Sequence, residues 1–306
     1  GKGVVLSSGE YPSYSDISTY DMAGCAIDTA IRNAIASGAS LSNLAILDNF
    51  CWCSSYDRGR LAELVDSLKA CYDYAVGYGT PFISGKDSMF NDFKGYDEKG
   101  NPVAISIPPT LLISAIGVIP QVAKCVTPEF KMAGDAVYVL GETNDELGAS
   151  EYIKMITKND VTKIGTDIPT VDYIKNTKTY QALEKAIARG IVASSISVTS
   201  GGLAIALTKA SLGGMLGATI TFDKLAGNAT TIDAKLFSES QGRIVVSVAR
   251  KNMKAFESIV KGVPHTKLGV VSDGKKFTIM NKKKKVVDTD ISKLHDTYHK
   301  FSNGMK

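Results

Sequence analysis

Apolar residues recur at helical spacing from Asp21 to Ser37. Met22, Ala23, Ala26, Ile27, Ala30, Ile31, Ala34 and Ile35 share one broad face, and Gly38 supplies a stop. The pattern predicts a helix, and the short apolar run Leu44 to Leu47 behind it predicts a buried strand ending at Asp48. A second helix is expected from about Arg60 to Tyr78, with Leu61, Leu64, Val65, Leu68, Cys71 and Ala75 as its inner face. Pro81 to Ser84 reads as another short strand and Thr110 to Ile119 as a longer one. Two strands ending in polar loops, each preceded by an amphipathic helix, predict an α/β domain.

Between Pro120 and Lys131 the pattern resets. Gly134 to Gly141 is a glycine-bounded strand. Helices are expected near Ala149 to Thr157, Val171 to Arg189 and Leu203 to Leu212. Strands return at Ala218 to Phe222, Arg243 to Val248 and Leu268 to Val271. The reading is therefore two domains, an α/β domain over residues 1–124 and an α+β domain over residues 125–306.

Composition narrows the function classes. With 306 residues, 44% hydrophobic and 22% charged, the chain can bury a sizeable core. The net charge of +4 is spread along the sequence, and its one dense basic run is Lys282 to Lys285. No aromatic residues interleave with that run, so it reads as a solvated turn between strands and not as a nucleic-acid surface. The five cysteines have no framework spacing, and Cys51-Trp52-Cys53 lacks the second pair that a zinc site needs. They are read as reduced, as in a cytoplasmic protein. No apolar stretch is long enough to cross a bilayer, which argues against a membrane partner. The start at Gly1 is read as the start of a fragment.

The segment richest in chemistry is Thr80-Pro81-Phe82-Ile83-Ser84-Gly85-Lys86-Asp87-Ser88-Met89-Phe90-Asn91. A glycine lets a phosphate approach the backbone amides, a lysine offsets its charge, and a carboxylate at Asp87 could hold Mg²⁺. The Gly-x-x-x-x-Gly-Lys spacing of a Walker loop is absent, and a purely structural glycine turn after a strand stays open. Asp48-Asn49-Phe50-Cys51-Trp52 ends the preceding strand, so both loops could open on one sheet edge, where ligands of open α/β sheets gather. A helix cap or turn is the alternative for Asp48 and Asn49.

These two segments, with Ile107 to Ser114, Gly134-Asp135, Leu147 to Tyr152 and Phe237 to Arg243, resemble the formylglycinamide ribonucleotide amidotransferase family nearly end to end. The opening Gly3-Val4-Val5-Leu6 and the stretch Ala26 to Asn33 fit the same resemblance. It implies the second of two synthetase halves, each with the two-domain fold of aminoimidazole ribonucleotide synthetase. It also implies an ATP-dependent ligase of purine biosynthesis that turns an amide into an amidine with glutamine-derived ammonia. On that resemblance Asp48 and Gly85 bind ATP, Lys86 contacts its phosphates, Ser88 contacts formylglycinamide ribonucleotide, and Asp87 is the metal candidate for Mg²⁺. No catalytic residue is assigned. No Cys-His-Glu glutaminase set is present, so the implied partners are the first synthetase half and a glutaminase domain or subunit. The fragment is expected to be inactive alone and to pair as a dimer when isolated.

The chain also departs from the resemblance. Long members of the family carry an auxiliary nucleotide site, built from a helix Glu and Asn with a Gly-Gly loop that supplies an Asp. Here Thr29 and Ser197 stand in place of the two carboxylates, while Asn33 is retained, so a magnesium–nucleotide complex is not expected there. Ser200-Gly201-Gly202 then reads as a plain helix start. Glu239-Ser240-Gln241 is read as a strand lead-in, with substrate contact as the alternative. His295 and His299 read as surface residues, and Trp52 as a packing anchor. Two further functions are weighed: a structural pairing module with a degenerate site, and a free-standing homodimeric ATP enzyme.

Overall fold

The computed structural model describes residues 1–303. Strand β1 (Gly3–Gly9) leads into helix α1 (Thr19–Ala36), β2 (Leu44–Cys51), α2 (Arg58–Tyr78), β3 (Phe82–Ser88), the hairpin β4 (Phe93–Tyr96) and β5 (Pro102–Ile105), and β6 (Thr110–Ile119). β1, β6, β2 and β3 form one sheet in that order. β2 runs parallel to β3, and the other two pairings are antiparallel. The N-caps follow the expected chemistry: the Ser18 side chain accepts from Asp21 N–H, and Asp57 caps α2 through Gly59 and Arg60.

The second half adds β7 (Ala136–Leu140), α3 (Glu151–Thr157), α4 (Tyr173–Ala188), β8 (Val192–Ser197), α5 (Gly202–Gly214), β9 (Gly217–Thr221) and α6 (Ile232–Phe237). It closes with β10 (Ile244–Val248), α7 (Met253–Val260), β11 (His265–Ser272), β12 (Lys276–Asn281), β13 (Lys284–Asp290) and α8 (Ile291–Asn303). Its seven strands make one sheet ordered β13-β12-β9-β11-β7-β10-β8, in which only the β12–β9 pair is parallel.

Packing is layered. α1, α2 and α4 lie between the two sheets, and one core runs from Ile46, Leu111 and Ile113 through Ile27, Ile31 and Leu183 to Tyr138, Ile244 and Val246. The alternate residues of the same central strands, Val137, Val139 and Val245, face a second core with Leu203, Leu207 and Phe222. The sheet of the first half is covered on one side only. On its other side Val4, Leu6 and Val118 are 66%, 72% and 50% exposed, a row of β-branched and aliphatic residues facing water.

Two expectations need correction. The inner face of α2 is Ser67, Ala70, Cys71, Tyr74 and Tyr78, whereas Leu61, Val65 and Leu68 point outward. The helix meets α1 through its small and aromatic side: a Cβ at Gly24 would fall 2.5 Å from the Tyr74 ring, so close approach excludes a larger residue. The segment Ser84 to Ser88 is strand and not loop. β2 likewise continues past Asp48 to Cys51, because β6 and β3 bond it from both sides.

Only the first half of the basic run is turn: Lys282 and Lys283 form the tight connection between β12 and β13, both at positive φ (48° and 66°), and Lys284 and Lys285 begin β13. No helix among the described residues is long and apolar enough to cross a membrane.

Candidate functional site on the edge strand

Strand register places the motif residues. Asp48 pairs with Gly85, Asn49 with Lys86, Phe50 with Asp87 and Cys51 with Ser88. Side chains alternate along a strand, and parallel partners share a face. Phe50 is buried against the helices, so Asp48, Gly85 and Asp87 lie on the helix side, and Lys86, Ser88, Asn49 and Cys51 lie on the open side. The five residues that the sequence singled out are thus brought to one sheet edge and divided between its two faces.

On the helix side a side chain at position 85 would have to push the Asp48 carboxylate aside. A Cβ at Gly85 would overlap the Asp48 carboxylate, which rests over this backbone. Asp48 is half-buried. Burial, reinforced by the neighbouring Asp87 carboxylate, raises its carboxyl above the ordinary aspartate range. Asp87 itself is exposed. Two carboxylates beside a bare backbone suit Mg²⁺, which takes one or two carboxylates together with phosphate oxygens. No group of three or more His, Cys, Asp or Glu residues gathers as a metal site among the described residues.

On the open side Lys86 is exposed and Ser88 half-buried. The Ser88 hydroxyl donates to Asn91 Oδ1 at 3.1 Å, while Asn91 Nδ2 returns a bond of 2.8 Å to the Ser88 carbonyl. Trp52 N–H also donates to the Ser88 carbonyl, at 2.8 Å. Trp52 itself is fully buried and donates through Nε1 to the Arg60 carbonyl at 3.0 Å, so it anchors this end of the sheet. β3 is the last strand of its sheet, so the backbone groups on its outer edge have no strand partner.

Other singled-out residues sit deeper. Glu239 bridges three elements: Oε1 accepts from Gly201 N–H at 2.8 Å and Glu151 N–H at 3.0 Å, and Oε2 from the Tyr14 hydroxyl at 2.7 Å. Burial raises its carboxyl, and those three donors pull the other way. Gln241 holds Thr29 and Arg32 through Oε1. The triplet is therefore internally committed.

Sequence reasoning passed over Arg32. All five of its donors are used: Nε bonds Ser197 at 2.7 Å, one terminal nitrogen bonds Asp28 and Gln241, and the other bonds Thr29 and the Val198 carbonyl. The guanidinium thus engages both Thr29 and Ser197. Asn33, Ser197, Thr199, Ser200 and Lys209 line a cavity of about 200 Å³ beside it, and no carboxylate is among its lining residues. His295 lies exposed on α8, its ring 4.3 Å from that of His299.

Known proteins share this fold. Residues 132–282 match the family AIR synthase related protein, C-terminal domain. Thermotoga maritima PurL complexed with FGAR superposes with a TM-score of 0.76 at 19% identity, covering 96% of this chain and 46% of that one. The same protein complexed with ATP gives 0.72 at 18% identity, with 96% and 44% covered. Thiamine-monophosphate kinase from Stenotrophomonas maltophilia gives 0.62 at 14% identity, covering 92% of this chain and 86% of that one. The chain spans less than half the length of the PurL chains it matches. Through residues 132–282 the chain is similar to the AIR synthase related proteins, and as a whole it has an aminoimidazole ribonucleotide synthetase-like fold, α/β followed by α+β.

Proposed function

We propose that this chain is part of a phosphoribosylformylglycinamidine synthase, an ATP-dependent carbon–nitrogen ligase that converts formylglycinamide ribonucleotide to formylglycinamidine ribonucleotide with ammonia derived from glutamine. The observation that carries the reading is the register of Asp48 on Gly85, with Lys86 and Ser88 displayed on the opposite face of the same edge. The fold shared with PurL structures complexed with FGAR and with ATP supports it.

An amide oxygen is a poor leaving group. Its attack on the γ-phosphorus of ATP forms a carbon–oxygen–phosphorus linkage and releases ADP. Ammonia then adds to the same carbon, the carbon–oxygen bond breaks with inorganic phosphate as leaving group, and loss of a proton leaves the amidine. For such a transfer a protein chiefly positions the groups and neutralises charge. In this reading the unpaired amides at the free edge of β3 and the Lys86 ammonium meet phosphate oxygens. Ser88, fixed by Asn91, meets the ribonucleotide. Asp48 and Asp87 are the residues that would hold Mg²⁺, which supplies neutralisation of the phosphate charge.

The edge is open to water, and the exposed row Val4, Leu6 and Val118 runs along the same sheet. We assign that face to pairing: with a first synthetase half in the complete enzyme, and with a second copy in the isolated chain. A glutaminase domain or subunit supplies the ammonia.

Isothermal titration of ATP with Mg²⁺, with and without formylglycinamide ribonucleotide, tests the reading when wild type and Gly85→Ala are run side by side. The added methyl displaces the Asp48 carboxylate, so binding should fall at least tenfold. Equal binding by both proteins would move the nucleotide elsewhere. Silence from both, together with a stable dimer, would favour a structural pairing module, a reading already supported by the exposed sheet face.

A further inference from the structure

Between the loop that follows β7 and the start of α4 lies a cavity of about 250 Å³ lined by polar and charged residues apart from Gly141. It is far larger than the roughly 10–15 Å³ that one water needs. Its acceptors outnumber its donors. Glu142, Glu146 and Asp172 bring three carboxylates against the Lys175 ammonium in the lining and the buried Arg243 guanidinium behind Glu146. That ammonium is spent on Glu142, 2.7 Å away, with Asp172 at 3.9 Å.

Two acceptors here lack a donor. Glu146 Oε2 is buried without any hydrogen-bond partner among the described residues. Burial raises the Glu146 carboxyl above the ordinary range, although Ser240, Arg243, Thr170 and Asn144 pull it down. The second is the side-chain oxygen of Asn176, a residue only 8% exposed. Its nitrogen is turned to Asp28 Oδ1 at 3.0 Å and to the Tyr78 hydroxyl at 3.5 Å. Because a carboxylate can only accept, the amide orientation is fixed and Oδ1 is the atom left over. A buried acceptor such as Glu146 Oε2 is normally satisfied, and Asn176 Oδ1 is left open toward the cavity.

We propose that this cavity binds a small planar cation rich in N–H donors, of the guanidinium or amidinium class, with Glu146 as its charge partner and Asn176 Oδ1 as a second acceptor. A planar cation of this class presents parallel N–H groups that match a carboxylate edge. A neutral polyol would leave the excess negative charge uncompensated, and an anion would be repelled by it. The site is separate from the β3 edge, and neither reading depends on the other.

Titration of methylguanidinium chloride into the whole chain at fixed ionic strength is the test, with tetramethylammonium chloride as a cation that has no N–H. Saturable binding of methylguanidinium alone is expected, weakened at least tenfold in Glu146→Gln. Lys175→Met removes the resident cation and should tighten binding several-fold, a gain that misfolding cannot mimic. No saturable heat from methylguanidinium overturns the proposal, as does equal affinity in Glu146→Gln. Should Glu146→Gln fail to fold, unchanged or weaker binding by Lys175→Met overturns it.

Discussion

Arg32 and Asp28, one turn apart on α1, form an ion pair with no exposed side-chain surface, deep in the layer that both sheets share. Around Asp28 stand the hydroxyls of Tyr78 at 2.6 Å and Tyr180 at 2.5 Å, the Asn176 amide and the Gly242 N–H. Burial alone would lower the affinity of the Arg32 guanidinium for its proton. The Asp28 charge, helped by Tyr180 and Tyr11, outweighs it, and the net shift is upward.

Removing one partner of such a pair leaves an uncompensated charge in the interior. Arg32→Met should therefore cost about 3–5 kcal/mol, read as a fall in the denaturant midpoint. A loss under about 1 kcal/mol would mean that the neighbouring hydroxyls and amides hold Asp28 without it.

The raised Asp48 carboxyl gives a pH signature. Its proton is held to a higher pH in the folded chain, so its contribution to folding is fullest in acid and is lost as pH rises through the folded value. Magnesium-dependent ATP binding should run the other way, weakening as pH falls and Asp48 protonates, with a midpoint above the ordinary 3.8. Asp87→Asn removes the neighbouring like charge and should move that midpoint down. A midpoint unmoved by the substitution would sever the two carboxylates.

The turn between β12 and β13 offers a stabilising change. Both Lys282 and Lys283 occupy the left-handed region, which a side chain disfavours, and an Asn-Gly pair suits a two-residue hairpin far better. The double substitution K282N/K283G should raise stability by about 1 kcal/mol, measured as a higher midpoint of thermal unfolding.

Pairing through the open sheet is tested by charge. Leu6, 72% exposed near the middle of β1, faces the proposed partner. Leu6→Glu should weaken self-association at least tenfold in sedimentation equilibrium and leave the circular dichroism spectrum unchanged. An undiminished dimer would place the contact elsewhere.

Local patterns were legible in the sequence where a helix or strand is decided by its own residues. α1 reads from its periodicity because its apolar residues share one broad face, and β6 reads from ten residues of unbroken alternation. α2 misled because its apolar stripe Leu61, Val65 and Leu68 faces outward, and which face of a helix meets a neighbour is a tertiary decision. The Ser84 to Ser88 segment looks like a turn because glycine and charged residues disfavour strands locally. The pairing with β2 that keeps it extended joins residues more than thirty positions apart. The motif told which residues share an edge, and only the register told which face each one takes. The acceptors around Arg32 come from α1, the end of β8 and the lead-in to β10, a convergence that no local window contains.

The layer of α1, α2 and α4 belongs to both sheets at once, and its core has no seam along which to part. The two sheets therefore share one helical layer, and a cut in the connection after β6 would leave apolar surface of that layer bare on both pieces.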